Sequence, residues 1–93
     1  MAITKLKRGE TYFYVDGWTH DRERNIMVPT RVIEIEALTN GAKQPRAFAV
    51  NGDSQAYGKY AFTIFFGSWC DDNAVWATRE EAEAATFINE SAA

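Results

Sequence analysis

The sequence contains one cysteine, one histidine and two prolines in 93 residues. It has no apolar run of the roughly 18 residues that a membrane helix needs. Each shortage excludes something. A lone Cys70 leaves no partner for an intramolecular disulfide, which fits a reducing, cytoplasmic setting. A lone His20, with Asp16, Asp21 and Glu23 nearby but no ligand spacing, is not a metal motif. It is no better supported as a proton-transfer pair with Asp16. The basic residues Lys5, Lys7 and Arg8 are not followed by an apolar segment, so no secretory leader is expected. Gly52 and Gly58 lack the strand-to-helix context of a phosphate loop. There is no G-x-S-x-G elbow and no serine beside a base. Catalysis needs several groups placed in one pocket, and the chain offers none by motif. The expectation is a protein that is not an enzyme, with no cofactor and no metal.

What is present is apolar and aromatic. Hydrophobic residues make up 46% and aromatics 14%, which argues against disorder and for one packed domain spanning residues 1–93. The net charge of −3 is unevenly spread. Through Lys59 the chain has nine Lys/Arg against seven Asp/Glu; after it, one Arg against six acids, namely Asp71, Asp72, Glu80, Glu81, Glu83 and Glu90. A general nucleic-acid binder carries the opposite bias.

The pattern along the chain is mostly that of strands. Residues 11–15, Thr-Tyr-Phe-Tyr-Val, alternate as a strand led in by Gly9. Asp16 and Gly17 then read as a break, opening a charged stretch over 16–25, a long hairpin tip or loop, that carries Trp18, Arg22 and Arg24. Residues 27–38 form a long strand. Pro29 restricts its start to an edge or a bulge, and Arg31, Ile33, Ile35 and Ala37 alternate with Glu34 and Glu36. Thr39, Asn40 and Gly41 signal a turn. Residues 46–50 follow as a short strand with Phe48 and Val50 inward. Residues 60–66, with Tyr60, Phe62, Ile64 and Phe66 on one side, are expected to be the central strand.

Val75 and Trp76 make a last short strand that runs into a helix. Thr78 is the expected N-cap, with Glu81 three residues on completing a capping box. Ala84, Phe87, Ile88 and Ser91 would share one face of that helix. The expected fold class is therefore α+β, mainly β. About five antiparallel strands form a meander curled into a small SH3-like barrel or a bent sheet, with one C-terminal helix closing an end.

Phe-Phe-Gly-Ser-Trp-Cys at residues 65–70 resembles the strand-to-cysteine segment of thioredoxin-fold proteins. That resemblance implies a thiolate activated at a helix N-terminus. It stops after six residues. Position 73 is Asn where the second cysteine would stand, Asp71 and Asp72 oppose ionisation of the thiol, and the helix begins too far downstream.

Two further stretches, Lys-Arg-Gly-Glu-Thr-Tyr-Phe-Tyr-Val at 7–15 and Val-Trp-Ala-Thr-Arg-Glu-Glu-Ala at 75–82, resemble the two ends of small accessory proteins of phages and mobile elements. The resemblance implies a protein that binds a host or phage protein, including inhibitors of defence systems of the anti-CRISPR kind. The first functional expectation is thus a non-enzymatic interaction module. Its acidic face (Asp71, Asp72, Glu80, Glu81, Glu83) meets a basic, nucleic-acid-handling protein, and Trp18, Arg22 and Arg24 form a second contact. The alternative is a small barrel that binds nucleic acid through Lys5, Lys7, Arg8, Tyr12 and Tyr14. A monomer or a small homo-oligomer formed through edge strands fits either reading.

Overall fold

A long two-stranded ladder organises the molecule. In the computed structural model, which describes residues 3–50, 61–64 and 75–88, β1 spans Thr11–Asp21 and β2 spans Ile26–Ala37. They pair antiparallel over nearly their whole length, from Thr11↔Glu36 to Asp21↔Ile26. The first strand therefore does not end at Val15 as its Asp-Gly suggests. The chain passes through Asp16 and Gly17 by bulging. Val15 pairs with Val32, Gly17 with Arg31 and Trp18 with Pro29, so Asp16 is an extra residue on β1 and Thr30 an extra residue on β2. The two single-residue bulges lie on opposite strands and cancel, which restores the original register beyond them.

The close approach of the two bulges is the reason for glycine at 17. A Cβ built there would lie 3.0 Å from the Thr30 hydroxyl. The ladder beyond the bulges, rather than a loop, carries Trp18 and His20, and the connection shrinks to 22–25 with Asn25 at φ 53°. Pro29 stands beside the Thr30 bulge, the setting its missing N–H demands.

β3 (Arg46–Ala49) pairs with the C-terminal half of β2, and β4 (Phe62–Thr63) pairs with β3. β5 (Val75–Trp76) returns to the other side of β1, giving the order β4-β3-β2-β1-β5. The segment of residues 60–66 is thus placed, where it is described, at the outer end of the order, and β2 and β1 hold the centre. They do so because only they are long enough to serve neighbours on both sides.

The inward face of β3 is the reverse of the expected one. Ile35 pairs with Ala49 and Ala37 with Ala47, while Phe48 lies across from Glu36. Opposite residues share a face, so the buried Ile35 and Ala37 bring Ala47 and Ala49 inward, and Phe48 and Val50 remain half-buried.

The core cluster comprises Leu6, Ile33, Ile35, Ala37, Ala47, Ala49, Ile64 and Val75, with Ile3, Tyr12, Tyr14 and Phe62 packed on it. The segment ahead of β1 crosses this core as a strap. Ile3 N–H donates to the Val75 carbonyl, and Leu6 exchanges backbone hydrogen bonds with Gly41, whose φ of 107° suits glycine.

The helix α1 (Arg79–Glu83) is only five residues long. Thr78 caps it as expected: its hydroxyl accepts from the Glu81 N–H at 3.2 Å. It does not continue to Ser91. Ala84 ends it, Ala85 N–H closes a tight turn on the Ala82 carbonyl, and β6 (Phe87–Ile88) pairs with Ile26 and Met27 of β2. Thr86, Phe87 and Ile88 are strand formers, and an open stretch of β2 offers them ladder hydrogen bonds that a frayed helix end lacks. Ala82 and Ala85 are buried as α1 packs against β1, β2 and β5. Among the described residues no helix is long and apolar enough to cross a membrane.

Candidate functional site

The Thr30 bulge of β2 and α1 border one cleft. Its walls are Pro29, Thr30, Arg31 and Val32 of β2 and Arg79 and Glu83 of α1, bordering an open volume of ≈ 380 Å³. Each guanidinium at this cleft is held by a neighbour. Arg79 donates from Nη1 to the Val32 carbonyl at 3.2 Å, and its charge sits 5.2 Å from the centre of the Phe13 ring. The ring face attracts the cation. Arg31 Nε lies 3.5 Å from a carboxylate oxygen of Asp16, whose side chain is 10% exposed against 45% for Arg31. The extra residue of one bulge therefore anchors the cation beside the other bulge.

Neither arginine was among the residues singled out from sequence, yet each carried a signal. Arg31 interrupts the apolar face of the Arg31, Ile33, Ile35, Ala37 alternation. Arg79 stands in the first turn of its helix, where the dipole disfavours a cation. A residue that violates a local preference in this way has a tertiary partner.

The residues that were singled out do not all converge. Glu80 and Glu83 are exposed on α1, and Glu83 shares the cleft with the two arginines. Glu81 is only partly exposed and serves the cap, accepting at 3.3 Å from the Thr78 hydroxyl. Asp71 and Asp72 lie outside the described residues, as do Cys70 and the Trp-Cys segment. Trp18 is half-buried in the ladder opposite Pro29. Arg22 is exposed at the hairpin tip.

Arg24 is engaged within the tip. Its Nε donates to Asp21 Oδ2 at 2.7 Å. The side-chain hydrogen bond from Arg24, then that from its backbone N–H, hold the Asp21 carboxyl below the usual aspartate value. His20 Nε2 is 2.9 Å from Asn25 Oδ1, and Asp16 turns to Arg31, so these two do not form a pair. No group of three His, Cys, Asp or Glu side chains comes together among the described residues.

The basic-aromatic set differs in exposure. Lys5, Lys7 and Arg8 are exposed, but Tyr12 and Tyr14 pack on the core. The Tyr12 hydroxyl accepts from the Lys7 N–H at 2.9 Å, and the Tyr14 ring meets Phe62 at 5.8 Å. Stacking of bases needs free ring faces, and both of these rings are partly buried. No protein-family model, curated protein or solved structure matches this chain.

Proposed function

We propose that the chain is a non-enzymatic protein-interaction module that meets a basic, nucleic-acid-handling protein through the side of the molecule bearing α1. The observation that carries this reading is the exposure of Glu80 and Glu83 on a capped helix seated on the sheet. They belong to the part of the chain with six acids and one Arg. Exposed carboxylates attract a groove built to hold phosphates, because both present anionic oxygens to its cations. Trp18, Arg22 and Arg24, on the β1–β2 arm, supply the second contact, with Arg24 held at the tip by Asp21. The likeness of the two chain ends to phage accessory proteins supports a host-defence protein as the partner and inhibition as the outcome.

The SH3-like curl belongs to the same proposal. β2 pairs with β3 through its C-terminal half and with β6 through its N-terminal half, and β5 returns to β1. Together with the strap from Val75 to Gly41, this sharing of two long, bulged strands supports a sheet bent toward closure.

The test is retention of proteins from the native host lysate on the immobilised chain and on a Glu80→Lys/Glu83→Lys variant, at low and high salt. The expected result is a basic protein retained by the parent chain, released by salt and lost by the variant. Undiminished retention by the variant would overturn the acidic-face reading.

A further inference from the structure

We infer that the end of the molecule built from residues 4–11 and 39–46 is a docking surface for the phosphate backbone of a nucleic-acid duplex, met without regard to its base sequence. The inference goes beyond the interaction reading and does not rest on it. Five of the chain's ten Lys and Arg residues stand there: Lys5, Lys7 and Arg8 on the strap, and Lys43 and Arg46 where the chain leads into β3. All five are exposed. Glu10 and Glu36 are the acids on these segments and the adjoining strand ends, so cations are in excess. Lys43 and Arg46 are distant in sequence from the first three and join them only through the fold. The two segments are fastened to each other by hydrogen bonds. Leu6 and Gly41 exchange backbone bonds at 3.0 and 2.8 Å, and the Arg8 N–H donates to Asn40 Oδ1 at 2.7 Å. Lys43 lies between two anchored residues, Gly41 and the fully buried Pro45, whose carbonyl accepts from the Ile64 N–H. The backbone that bears the cations is thus ordered before a ligand arrives, which lowers the cost of binding.

The surroundings of the cations select the partner. Apart from Gly9 and Ala42, every exposed residue at 4–11 and 39–46 is polar or charged. A protein interface is held by aromatic or aliphatic anchors at its centre, and a membrane surface takes up an apolar face. A phosphate backbone needs neither, since it is met by hydrogen bonds and ion pairs from Lys, Arg, Thr, Asn and backbone N–H groups. Single strands draw much of their affinity from stacked rings, and Tyr12 and Tyr14 pack on the core instead. A duplex needs no stacking and sets one charge per ~1.7 Å of its axis, twice the density of a single strand. The chain's net charge of −3 opposes attraction at long range. Affinity therefore belongs in the sequence-independent range of about 10⁻⁴–10⁻⁶ M at physiological salt.

The experiment is a fluorescence-anisotropy titration of the full chain against labelled duplexes of two unrelated sequences, about 20 base pairs long, from about 50 to 200 mM salt. A single strand of equal length, poly-glutamate and vesicles containing phosphatidylserine are the other probes. The expected result is that both duplexes bind alike and more tightly than the other three probes. Their affinity should fall about 10²-fold over that salt range, as for about four neutralised phosphates. Lys5→Gln and Lys43→Gln should each weaken duplex binding at least twofold at low salt and reduce the logarithmic salt slope by about 0.9, with the far-UV spectrum unchanged. Arg22→Gln, which removes an exposed cation at the hairpin tip, should leave duplex binding as it is.

A flat duplex titration at low salt would overturn the inference. So would equal losses in Lys43→Gln and Arg22→Gln, which would mean that the cations at this end do not act together. Tighter binding of the single strand, of poly-glutamate or of the vesicles would overturn the choice of a duplex. No host protein is present in these titrations, so loss of this surface and loss of the acidic-face reading are separately visible.

Discussion

The inward face of β3 makes the sharpest prediction, because local pattern and tertiary pairing disagree about it. Ala47 is fully buried and pairs with the buried Ala37, whereas the adjacent Phe48 is half-buried and pairs with Glu36. Ala47→Leu forces three more carbons against the β2 face, and overpacking of this kind costs about 1–3 kcal/mol. Phe48→Ala removes a ring that is only half withdrawn from water, so its loss should be about 1 kcal/mol. With a urea dependence of about 1 kcal/mol per M, the midpoint of unfolding by far-UV circular dichroism should fall by about 1–3 M for Ala47→Leu and about 1 M for Phe48→Ala. In thermal unfolding each kcal/mol corresponds to about 4–8 °C for a chain of this length. The opposite ranking would refute the register. If Phe48→Ala cost the 3–5 kcal/mol typical of a buried ring and Ala47→Leu were neutral, β3 would have to be displaced by one residue, which turns every side chain to the other face.

Three further outcomes follow from single contacts. Gly17→Ala should cost about 1 kcal/mol because its Cβ meets the Thr30 hydroxyl, and the loss should shrink by at least about 0.5 kcal/mol in a Thr30→Ala background. Equal losses in both backgrounds, measured by urea unfolding, would show that the two bulges do not crowd each other. Thr78→Ala should destabilise by about 0.5–2 kcal/mol and Thr78→Asp by much less, since aspartate caps as well as threonine; identical thermal midpoints for the two would remove the cap from the account. The Asp21 carboxyl should titrate by NMR below the ordinary 3.8, and Arg24→Gln should return it toward that value. The folded-state value is depressed, so the stabilisation is present above the unfolded value and is lost as pH falls through the folded one. An unshifted Asp21 in the parent chain would mean that the tip pair does not form in solution.

Much of the fold was legible in short stretches where one local preference acts alone. Thr78 and Glu81 announced the helix start. The alternation of Ile33, Ile35 and Ala37 announced the buried face of β2. Thr39 and Gly41 announced the turn, in which the Thr39 hydroxyl accepts from the Arg46 N–H at 2.8 Å. The candidate site was legible only in part. Glu80 and Glu83 are exposed as their charge suggested. Their cleft partners Arg31 and Arg79 come from distant parts of the chain, and no spacing rule links positions that far apart.

By itself the sequence determined the chemistry of each segment: strand-forming runs, a capped helix start and an acidic last third. It did so because side-chain size, branching and charge act on nearest neighbours. Tertiary structure alone decided how those segments meet. It turned Asp16 and Gly17 from a stop into a bulge matched by Thr30. It pulled Phe87 and Ile88 out of the helix and onto the edge of β2. It turned β3 over so that Ala47 and Ala49 face the core. In each case the deciding term is a hydrogen-bonded ladder or a packed face shared with residues far away in sequence. A backbone ladder bond or a filled space of that kind outweighs the few tenths of a kcal/mol by which a local preference leans.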